Sequence, residues 1–513
     1  MPVLDARQMK AADRRAIRAG VPAERLMENA AAGLVQALLE TRPGWRRVVV
    51  ACGPGNNGGD GLAAARMLAR DGLSVSVFTL RDPESYAGAA AVNARRARAA
   101  GLEFARVPGP RGIGAFRRAL DDADGVVDAL FGTGLSRPLS GIAETAVAAI
   151  NRSERGVASA DVPSGLSSDT GELLGPCVRA DLTAAFAAAK HCHVFHPARS
   201  FCGDLRVAPI GIPARLLAAR GHPLWLVEEA DVRRLLPARA EDSHKGDFGR
   251  VAVIAGSRGK AGAAVLAGRG ALRAGAGLVT IFCPASLEAT IVSALPEAMT
   301  RGLPERAGEV VADGAAELAG ALEGFDAVAA GPGLGSGEAI APFLRQVLKL
   351  PLPLVCDADA LNAMPGLPAV WARRRAATVL TPHPGEAGRL LGVSTKEVQR
   401  DRVAAARRLA RRSGAVVILK GAATLIADPA GTVRVNPTGS PLMASAGAGD
   451  VLTGAVAALL AGGLRALEAA YCAAYLHGAA GELLAASLGD AGLLAHELAD
   501  AMPLARDGLR EPR

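Results

Sequence analysis

Residues 436–454, NPTGSPLMASAGAGDVLTG, form a run of small residues with a single carboxylate that passes into an apolar helical pattern. The small residues at 446–449 allow the backbone to approach a bulky ligand closely. A helix is predicted to begin after Asp450, and the amide groups at its start carry partial positive charge that suits an anion. Asp450 is therefore either a helix cap or a carboxylate placed beside a reacting phosphoryl group.

The composition indicates an α/β enzyme with more than one domain. A length of 513 residues suggests two to four domains at roughly 150 residues each. Half of the residues are hydrophobic, 61 are glycine and only 3% are aromatic, which is typical of an α/β protein rather than of a disordered chain or a disulfide scaffold. The net charge of +8 comes from scattered basic residues without aromatic interleaving, so no nucleic-acid partner is predicted.

The cysteine spacing and the N-terminus predict a cytoplasmic protein. Seven cysteines occur without any CxxC spacing, which is typical of reduced thiols. The N-terminus is charged and amphipathic, and no uncharged run approaches the roughly 18 residues that a membrane span needs. We therefore expect no membrane partner.

One cluster of cysteines and histidines could be mistaken for a zinc site. Its members are Cys177, Lys190, His191, Cys192, His193, His196 and Cys202. Zinc sites usually keep two close pairs of ligands at fixed spacing, and this set is irregular, so zinc is not favoured. Lys190 is the member that we retain as a functional candidate.

A glycine-rich turn follows the first apolar strand of the N-terminal half. The predicted strand 48–52 leads into GPGNNGGDG, whose glycines at 53–58 match the dinucleotide fingerprint G-x-G-x-x-G, a weak signal by itself. That fingerprint does not require the polar residues Asn56, Asn57 and Asp60. They are either turn formers with a helix-capping Asp60, or side chains directed at a ligand, and we favour the second interpretation.

Further strands alternate with helical segments, which predicts a parallel, doubly wound sheet. These strands are 73–80, 125–129 and 157–160. Ligands bind such sheets at the carboxyl ends of the strands, where Asn57, Asp128 and Ser164 would meet. Their oxygens with one negative charge suit K⁺ better than zinc. Asp60 and Asp161 are then left to contact the substrate.

The C-terminal half repeats this pattern after a predicted linker at 216–226, where glycine and proline interrupt any long helix. Each strand ends in a glycine-containing or acidic turn, so a second parallel sheet is predicted. These strands are 250–255, 326–330, 352–356, 377–380 and 416–420. The turn at 256–260 lacks the spacing of a Walker A loop, which excludes a P-loop nucleotide hydrolase.

Four polar residues follow the strands of this second sheet. His383 and Glu386 could be read as zinc ligands, but a carboxylate oriented toward Mg²⁺ and phosphate is the better interpretation because further zinc ligands are missing. Asp357 and Asp359 are either turn formers or groups that support the site. The sequence leaves those two alternatives open.

The N-terminal motifs GNNGGDG, VDALFGTGL and DVPSG, with GIP at 211–213, together resemble the YjeF N-terminal domain, an epimerase of NAD(P)H hydrates. The resemblance covers about residues 5–215 and implies a Rossmann-like domain at 1–215. It places K⁺ on Asn57, Asp128 and Ser164. We predict proton transfer at the hydrate by Asp161, with the equally placed carboxylate of Asp60 as the alternative. The substrate contacts that it implies are Asn56, Asn57, Gly58, Gly59, Asp60, Gly132, Thr133, Gly134, Leu135, Ser136, Arg137, Pro138 and Asp161.

The C-terminal motifs HKGDFG, GAGLVT, GPGLG, DADALN, TPHPGE, KGAAT and SAGAGDVLTG resemble the ribokinase-like dehydratase of (S)-NAD(P)H hydrate. The resemblance implies an α/β/α sandwich at 227–505, Asp450 as the catalytic base, Mg²⁺, and ADP or ATP as co-substrate. We predict ADP rather than ATP. The implied hydrate contacts are Ala263, Gly333, His383 and Asp450. The implied nucleotide contacts are Lys420, Gly421, Ala422, Ala423, Thr424 and Gly449.

The two resemblances together predict a chain of the NAD(P)H-hydrate repair family that forms a homo-oligomer. The alternative is a ribokinase-like kinase of a vitamin or a sugar, fused to a Rossmann-like module that binds a nucleotide or RNA. A kinase would accumulate a stable phosphorylated product, whereas a dehydratase would release phosphate and NAD(P)H.

Overall fold

The computed structural model describes residues 1–107, 109–217, 224–236, 238–366 and 369–510. The chain divides into two compact units, Met1–Pro223 and Leu224–Arg513. Part of the predicted linker, 218–223, lies outside the described residues. The remainder of the linker is regular structure, because its first residues end a short helix and Leu224–Leu226 forms a strand.

The first unit alternates strands and helices along most of its length. Its strands are β1 (Val3–Leu4), β2 (Arg47–Cys52), β3 (Ser74–Thr79), β4 (Phe104–Arg106), β5 (Gly125–Ala129), β6 (Gly156–Ala160), β7 (Leu182–Phe186), β8 (Ala189–Lys190) and β9 (Asp204–Ala208). Its α-helices are α1 (Ala6–Arg18), α2 (Ala23–Thr41), α3 (Asn56–Arg70), α4 (Gly88–Ala99), α5 (Pro110–Asp122), α6 (Ile142–Arg152) and α7 (Ala214–Leu217).

A seven-stranded parallel sheet organises this unit, with the order β4-β3-β2-β5-β6-β7-β9. The central strands are apolar throughout because helices cover both faces of a parallel sheet. After β2, the chain adds β3 and β4 on one side of β2. It then adds β5, β6, β7 and β9 on the opposite side. The predicted doubly wound sheet is confirmed, and its switch point lies between β2 and β5, where such sheets bind ligands.

The second unit contains more and shorter elements. Its strands are β10 (Leu224–Leu226), β11 (Arg250–Ile254), β12 (Leu278–Pro284), β13 (Met299–Leu303), β14 (Glu305–Arg306), β15 (Glu309–Val310), β16 (Ala327–Ala330), β17 (Leu354–Cys356), β18 (Thr378–Leu380), β19 (Val416–Leu419), β20 (Leu425–Ala427) and β21 (Val433–Val435). Its α-helices are α8 (Glu229–Leu235), α9 (Ala261–Ala274), α10 (Glu288–Ala294), α11 (Gly314–Ala321), α12 (Ile340–Val347), α13 (Ala358–Asn362), α14 (Ala369–Arg373), α15 (Pro384–Leu391), α16 (Thr395–Arg400), α17 (Arg402–Ser413), α18 (Ala448–Ala461), α19 (Ala466–Leu488) and α20 (Ala495–Asp507).

A ten-stranded sheet runs through the second unit in the order β10-β21-β20-β19-β18-β17-β16-β11-β12-β13. The strands from β19 to β13 are parallel, as predicted. The other edge differs from the prediction, because β20 is antiparallel to both β19 and β21. Strands of three residues carry too little periodicity to be recognised in a sequence.

The helices α9 and α18 pack through small residues. A Cβ on Gly454 would lie 1.9 Å from the carbonyl oxygen of Ala267, and one on Gly270 would lie 2.3 Å from that of Val451. Neither backbone oxygen can move independently of its helix. These glycines therefore set the separation of α9 and α18, and hence the position of the loop that precedes α18.

We expect Gly454→Ala to destabilise the C-terminal unit by about 1–3 kcal/mol, since the added methyl would separate the two helices. Chemical denaturation of the full chain measures this difference. Gly320→Ala is the control, because nothing lies within 4 Å of its added Cβ. The control should be neutral or stabilise by about 0.5–1 kcal/mol, as expected for an alanine in an open helical position. Equal unfolding free energies for both variants would contradict this account of the packing.

The state of the cysteines and the polarity of the helices bear on metal binding and membrane insertion. All seven cysteines lie in the described part of the chain, and each is a buried free thiol. Burial raises the pKa of Cys177 to about 11, so its reactive thiolate is scarce at neutral pH. Among the described residues, no group of three or more His, Cys, Asp and Glu side chains could hold a metal ion. No helix in the same ranges is long and apolar enough to cross a bilayer.

Candidate active sites

Helix α18 begins earlier than the sequence predicts. Its first residue is Ala448 and its N-cap is Gly447, whose φ of 88° lies in the left-handed region that glycine adopts readily. Asp450 therefore lies in the first turn of the helix and does not cap it. The capping interpretation of Asp450 is wrong, and the carboxylate stands beside the amide groups at the start of the helix.

Asp450 has the electrostatic properties of a proton acceptor. Burial raises the pKa of its carboxyl group to about 7, with a further increase from the charge of Asp357 and an opposing effect of Lys420. Its side chain accepts no hydrogen bond from any residue that the structure describes. A carboxylate whose pKa lies near neutrality is matched to general base catalysis.

A buried hydrogen-bonded group lies next to Asp450. Lys420 Nζ donates to Asp357 Oδ1 at 2.7 Å, and Thr453 Oγ1 donates to Asp357 Oδ2 at 2.7 Å. Although burial opposes the charged form, the surrounding carboxylates raise the pKa of Lys420. A Cβ on Gly449 would lie 3.2 Å from Lys420 Nζ. The structure thus brings Lys420, Gly449 and Asp450 together, and it favours the supporting role of Asp357 over that of a turn former.

Asp359 connects two loops at the same edge of the sheet. Its Oδ2 accepts hydrogen bonds from Lys260 Nζ at 3.1 Å and from the amide of Gly335 at 3.0 Å. A Cβ on Gly333 would lie 2.9 Å from the Cβ of Ala263. The two predicted hydrate contacts Ala263 and Gly333 are therefore neighbours, and Asp359 also has a supporting role.

His383 and Glu386 form the start of helix α15. His383 Nδ1 accepts from the amide of Gly385 at 3.0 Å, and Glu386 Oε2 accepts from the amide of His383 at 2.8 Å. Glu386 Oε1 lies 3.4 Å from His383 Nε2, and the Glu386 side chain is 5% exposed. The carboxylate is engaged with His383, so a direct metal contact through Glu386 is not favoured. The Lys420 amide donates to the Pro382 carbonyl at 2.9 Å, which places this helix start beside the loop of Lys420.

The start of helix α3 carries the polar residues of the N-terminal glycine-rich turn. The helix begins at Asn56, with Gly55 as its N-cap. Asn56 and Asn57 therefore lie in its first turn, and Asp60 lies in the second. Neither asparagine has a positive φ, and Asp60 does not cap the helix. The alternative that explained these residues as turn formers and a cap is wrong.

The loops after β2 and β5 touch each other at the switch point. A Cβ on Gly53 would lie 1.6 Å from the carbonyl oxygen of Leu130, so only glycine allows this approach. A Cβ on Gly132 would lie 3.0 Å from Asn57 Oδ1. Asn57 makes no side-chain hydrogen bond in the described ranges, and its Nδ2 is buried. The predicted substrate loop 132–138 thus begins directly against Asn57.

Asp128 is buried beneath this contact. It accepts hydrogen bonds from the hydroxyl group of Ser164 at 2.6 Å, the amide of Ser164 at 2.9 Å, the hydroxyl group of Ser159 at 2.9 Å and the amide of Leu130 at 3.2 Å. Burial nevertheless raises the pKa of Asp128, against the effect of these hydrogen bonds. The structure therefore joins Asp128 to Ser164 directly, and the loop after β5 joins both to Asn57.

Asp161 and Lys190 form a buried ion pair. Lys190 Nζ donates to Asp161 Oδ1 and, at 2.8 Å, to the carbonyl of Phe186. Lys190 is completely buried. Asp161 has a φ of 64°, a strained conformation for a residue other than glycine that recurs at functional sites. Lys190, which the sequence singles out from the irregular cluster, is thus the partner of the predicted catalytic Asp161.

Two more carboxylates surround this pair. Burial raises the pKa of Asp60 well above its usual value, and the charges of Asp161 and Asp13 add to the effect. Burial likewise raises the pKa of Asp13; the charge of Lys190 opposes this rise, and that of Asp161 adds to it. Asp13 belongs to α1 and was missed, because in the sequence it is one charge on an ordinary amphipathic helix. With one lysine among three carboxylates, Asp60 is the member favoured to remain protonated.

The fold and the sites define an enzyme with two separate α/β units, each of which collects its reactive groups at the carboxyl edge of a parallel sheet. The family model described as NAD(P)H-hydrate dehydratase matches residues 251–504, and the model described as YjeF-related protein N-terminus matches residues 23–192. The chain belongs to the family of bifunctional NAD(P)H-hydrate repair enzymes.

Relatives of this name align with nearly the whole chain. The one from Moorella thermoacetica is 41% identical over 496 residues, covering 96% of this chain and 94% of the relative. The one from Escherichia coli is 35% identical and covers 93% of this chain and 88% of the relative. A crystal structure of the ADP/ATP-dependent NAD(P)H-hydrate dehydratase from Bacillus subtilis, co-crystallised with ATP and Mg²⁺, matches with a TM-score of 0.50 and 38% identity over 57% of this chain and 100% of that chain.

Proposed function

We propose that the N-terminal unit interconverts the R and S hydrates of NADH and NADPH, and that the C-terminal unit returns the S hydrate to NAD(P)H at the expense of a nucleotide. Support comes from relatives of this activity that span both units. The observation that carries the proposal is Asp450, a carboxylate in the first turn of α18 that lies near Lys420 and accepts no hydrogen bond from a described residue. A kinase with a different acceptor is not favoured, because the family match extends over both units.

Repair of the S hydrate would proceed through a phosphate ester. Asp450 accepts the proton of the C6 hydroxyl group as that oxygen attacks the terminal phosphoryl group and the bond to the nucleotide breaks. Lys420 and the amides around Gly449 would balance the charge of the phosphoryl group during transfer. The ring nitrogen then expels the C6 phosphate, and loss of a proton from C5 restores the C5–C6 double bond of NAD(P)H.

Mg²⁺ would enter this site together with the nucleotide. Mg²⁺ keeps several waters and usually takes only one or two carboxylates from the protein. Because the Glu386 carboxylate is engaged with His383, we expect Glu386 to hold the ion through a water rather than directly. When bound, Mg²⁺ neutralises charge on the phosphates. The B. subtilis relative was co-crystallised with ATP and Mg²⁺.

Epimerisation needs a proton donor and a proton acceptor on the hydrate. Asp60 has a raised pKa and no hydrogen bond among the described residues, which suits a donor to the departing C6 hydroxyl group. Asp161 is paired with the Lys190 ammonium group and suits the acceptor when water adds to the other face. The burial of Asp60 and the ion pair of Asp161 give the two carboxylates different environments, which assigns the acid and the base.

A potassium ion fits the group formed by Asn57, Asp128 and Ser164. Asn57 Oδ1 accepts no hydrogen bond in the described part of the chain and is available as a ligand, and a carboxylate buried as deeply as Asp128 gains from a nearby cation. The donor set consists of oxygens with one negative charge, which suits a large monovalent ion. The ion would stabilise the Asp128 carboxylate and attract the phosphates of the hydrate.

The proposed function is tested by supplying the purified protein with mixed hydrates and either ADP or ATP, and following the dihydronicotinamide absorbance. Complete return of the absorbance requires both activities, since the R hydrate must first be epimerised. If only the absorbance of the fraction present as S hydrate returned, the dehydratase activity would be supported and the epimerase activity refuted. No return with either nucleotide would overturn the proposal. The preference for ADP, the homo-oligomeric state and the cytoplasmic location stay predictions.

The dehydratase should gain activity as pH rises through neutrality. Asp450 must be ionised to accept a proton, and burial raises its pKa to about 7. We therefore expect kcat/KM for the S hydrate to increase with pH and to reach half of its plateau near pH 7. A pH profile of the full chain measures this, with Asp450→Asn as the variant that loses the dependence. A profile without this step between about pH 6 and 8 would contradict the role of Asp450.

A further inference from the structure

Arg402 forms hydrogen bonds to the carbonyl groups of the loop that follows strand β19. It is the first residue of α17, and its guanidinium group donates to the carbonyl of Ala422 and, at 3.3 Å each, to the carbonyls of Leu419 and Lys420. Its Nε is buried and has no hydrogen-bond partner among the described residues. A planar fork of donors is suited to gathering several carbonyl oxygens at one point, which a lysine ammonium cannot reproduce.

The carbonyl of Gly421, which Arg402 does not contact, also accepts a hydrogen bond. Thr424 Oγ1 donates to the carbonyl of Gly421 at 2.8 Å. The backbone reaches this arrangement through Gly421, with a φ of 136°, and Ala423, with a φ of 51°. Four consecutive carbonyls, those of 419–422, are therefore bound to Arg402 or Thr424.

The amides of the same loop have no such partners. In the described ranges, the backbone N–H groups of residues 421–424 donate to no protein acceptor, whereas the Lys420 amide before them donates to Pro382. Amides in a stretch with left-handed residues form a concave group that binds anions. The Lys420 side chain at the start of the loop adds a positive charge.

We propose that Arg402 is a positioning residue for the nucleotide. By fixing the carbonyls of Leu419, Lys420 and Ala422, it leaves the amides of 421–424 available to the nucleotide phosphates. Arg402 does not contact the nucleotide itself and acts through the loop. This inference rests on the proposed function, because it takes the ligand of the loop to be the ADP or ATP that the dehydratase uses.

The test compares Arg402→Met with Arg407→Met in the full chain. Arg407 lies on the same helix and donates to one carbonyl, that of Gly431, in a turn between β20 and β21. For Arg402→Met we expect the KM for ADP or ATP to rise by about 10-fold to 100-fold, as for other small displacements of a binding loop. The KM for the S hydrate and the epimerase rate should stay at the wild-type values. Arg407→Met should leave all three unchanged.

Two results would overturn the inference. One is a wild-type nucleotide KM in Arg402→Met, and the other is an equal rise for nucleotide and hydrate, which would indicate general loss of structure. If Arg402→Met does not fold, Arg402→Lys decides the question. It keeps the charge without the fork, so a raised nucleotide KM supports the role of Arg402 and an unchanged one removes it. A wild-type protein that repairs no hydrate would instead refute the proposed function.

Discussion

Replacing Asp450 by asparagine should lower turnover of the dehydratase by about 10²- to 10⁴-fold, the usual contribution of a general base. The amide is nearly the same size as the carboxylate and cannot accept the proton of the C6 hydroxyl group. Because Asp450 accepts no hydrogen bond from a described residue, the substitution removes little structure. Nucleotide binding should therefore persist, and the loss should appear in kcat.

The measurement is the return of dihydronicotinamide absorbance from the S hydrate with ADP or ATP, alongside nucleotide binding by calorimetry. Asp326→Asn is the control, since Asp326 lies at the amino end of β16 and accepts from the Arg250 amide at 2.7 Å. That variant should keep its turnover. Normal turnover by Asp450→Asn would show that another group accepts the proton.

Replacing Asp161 by asparagine should remove epimerase activity and destabilise the N-terminal unit. Breaking a buried ion pair by removing one partner costs about 3–5 kcal/mol, because the remaining charge is left in an apolar environment. Lys190 is completely buried, so it would carry this cost. The rate of hydrate epimerisation should fall by about 10²- to 10⁴-fold, as expected for a lost acid or base.

A second substitution separates catalysis from stability. Adding Lys190→Met to Asp161→Asn removes the unpaired charge, so the free energy of unfolding should recover while the epimerase stays inactive. Asp204→Asn is the control, because Asp204 pairs with Arg206 on the surface and such pairs contribute little. An active Asp161→Asn variant, or one as stable as the control, would contradict the role given to the pair.

The fold could be predicted from the sequence where apolar strands end in marked turns. Strand β5 has the predicted bounds, and β2 and β11 differ from them by one residue, because a buried parallel strand reads as an uninterrupted apolar run. The hairpin of β20 and β21 escaped prediction, since three residues do not define a period. Helix α18 begins before the predicted position because Gly447, as its N-cap, adopts a left-handed conformation that glycine allows.

The candidate sites were predicted less completely, because their chemistry depends on contacts between distant parts of the chain. Asp450 could be found from its glycine-rich loop. The residues around it could not, since the hydrogen bond between Asp357 and Thr453 joins the end of β17 to α18, two segments that are distant in the sequence. Asp13 reaches the Asp161 group only through the packing of α1. Arg402 is one of 58 basic residues, and only its contacts to three carbonyls distinguish it.

Strand β10 has a consequence for how the chain can be divided and how it folds. Leu224 pairs with Val433, so the edge of the second sheet joins the first residues of that unit to a strand that follows about 200 residues later. A C-terminal fragment cut at 227 would lack this strand and expose the backbone of β21 to other chains. During synthesis, β10 has no partner until β21 emerges from the ribosome, so the sheet of the second unit is completed late. The first unit can fold before that point.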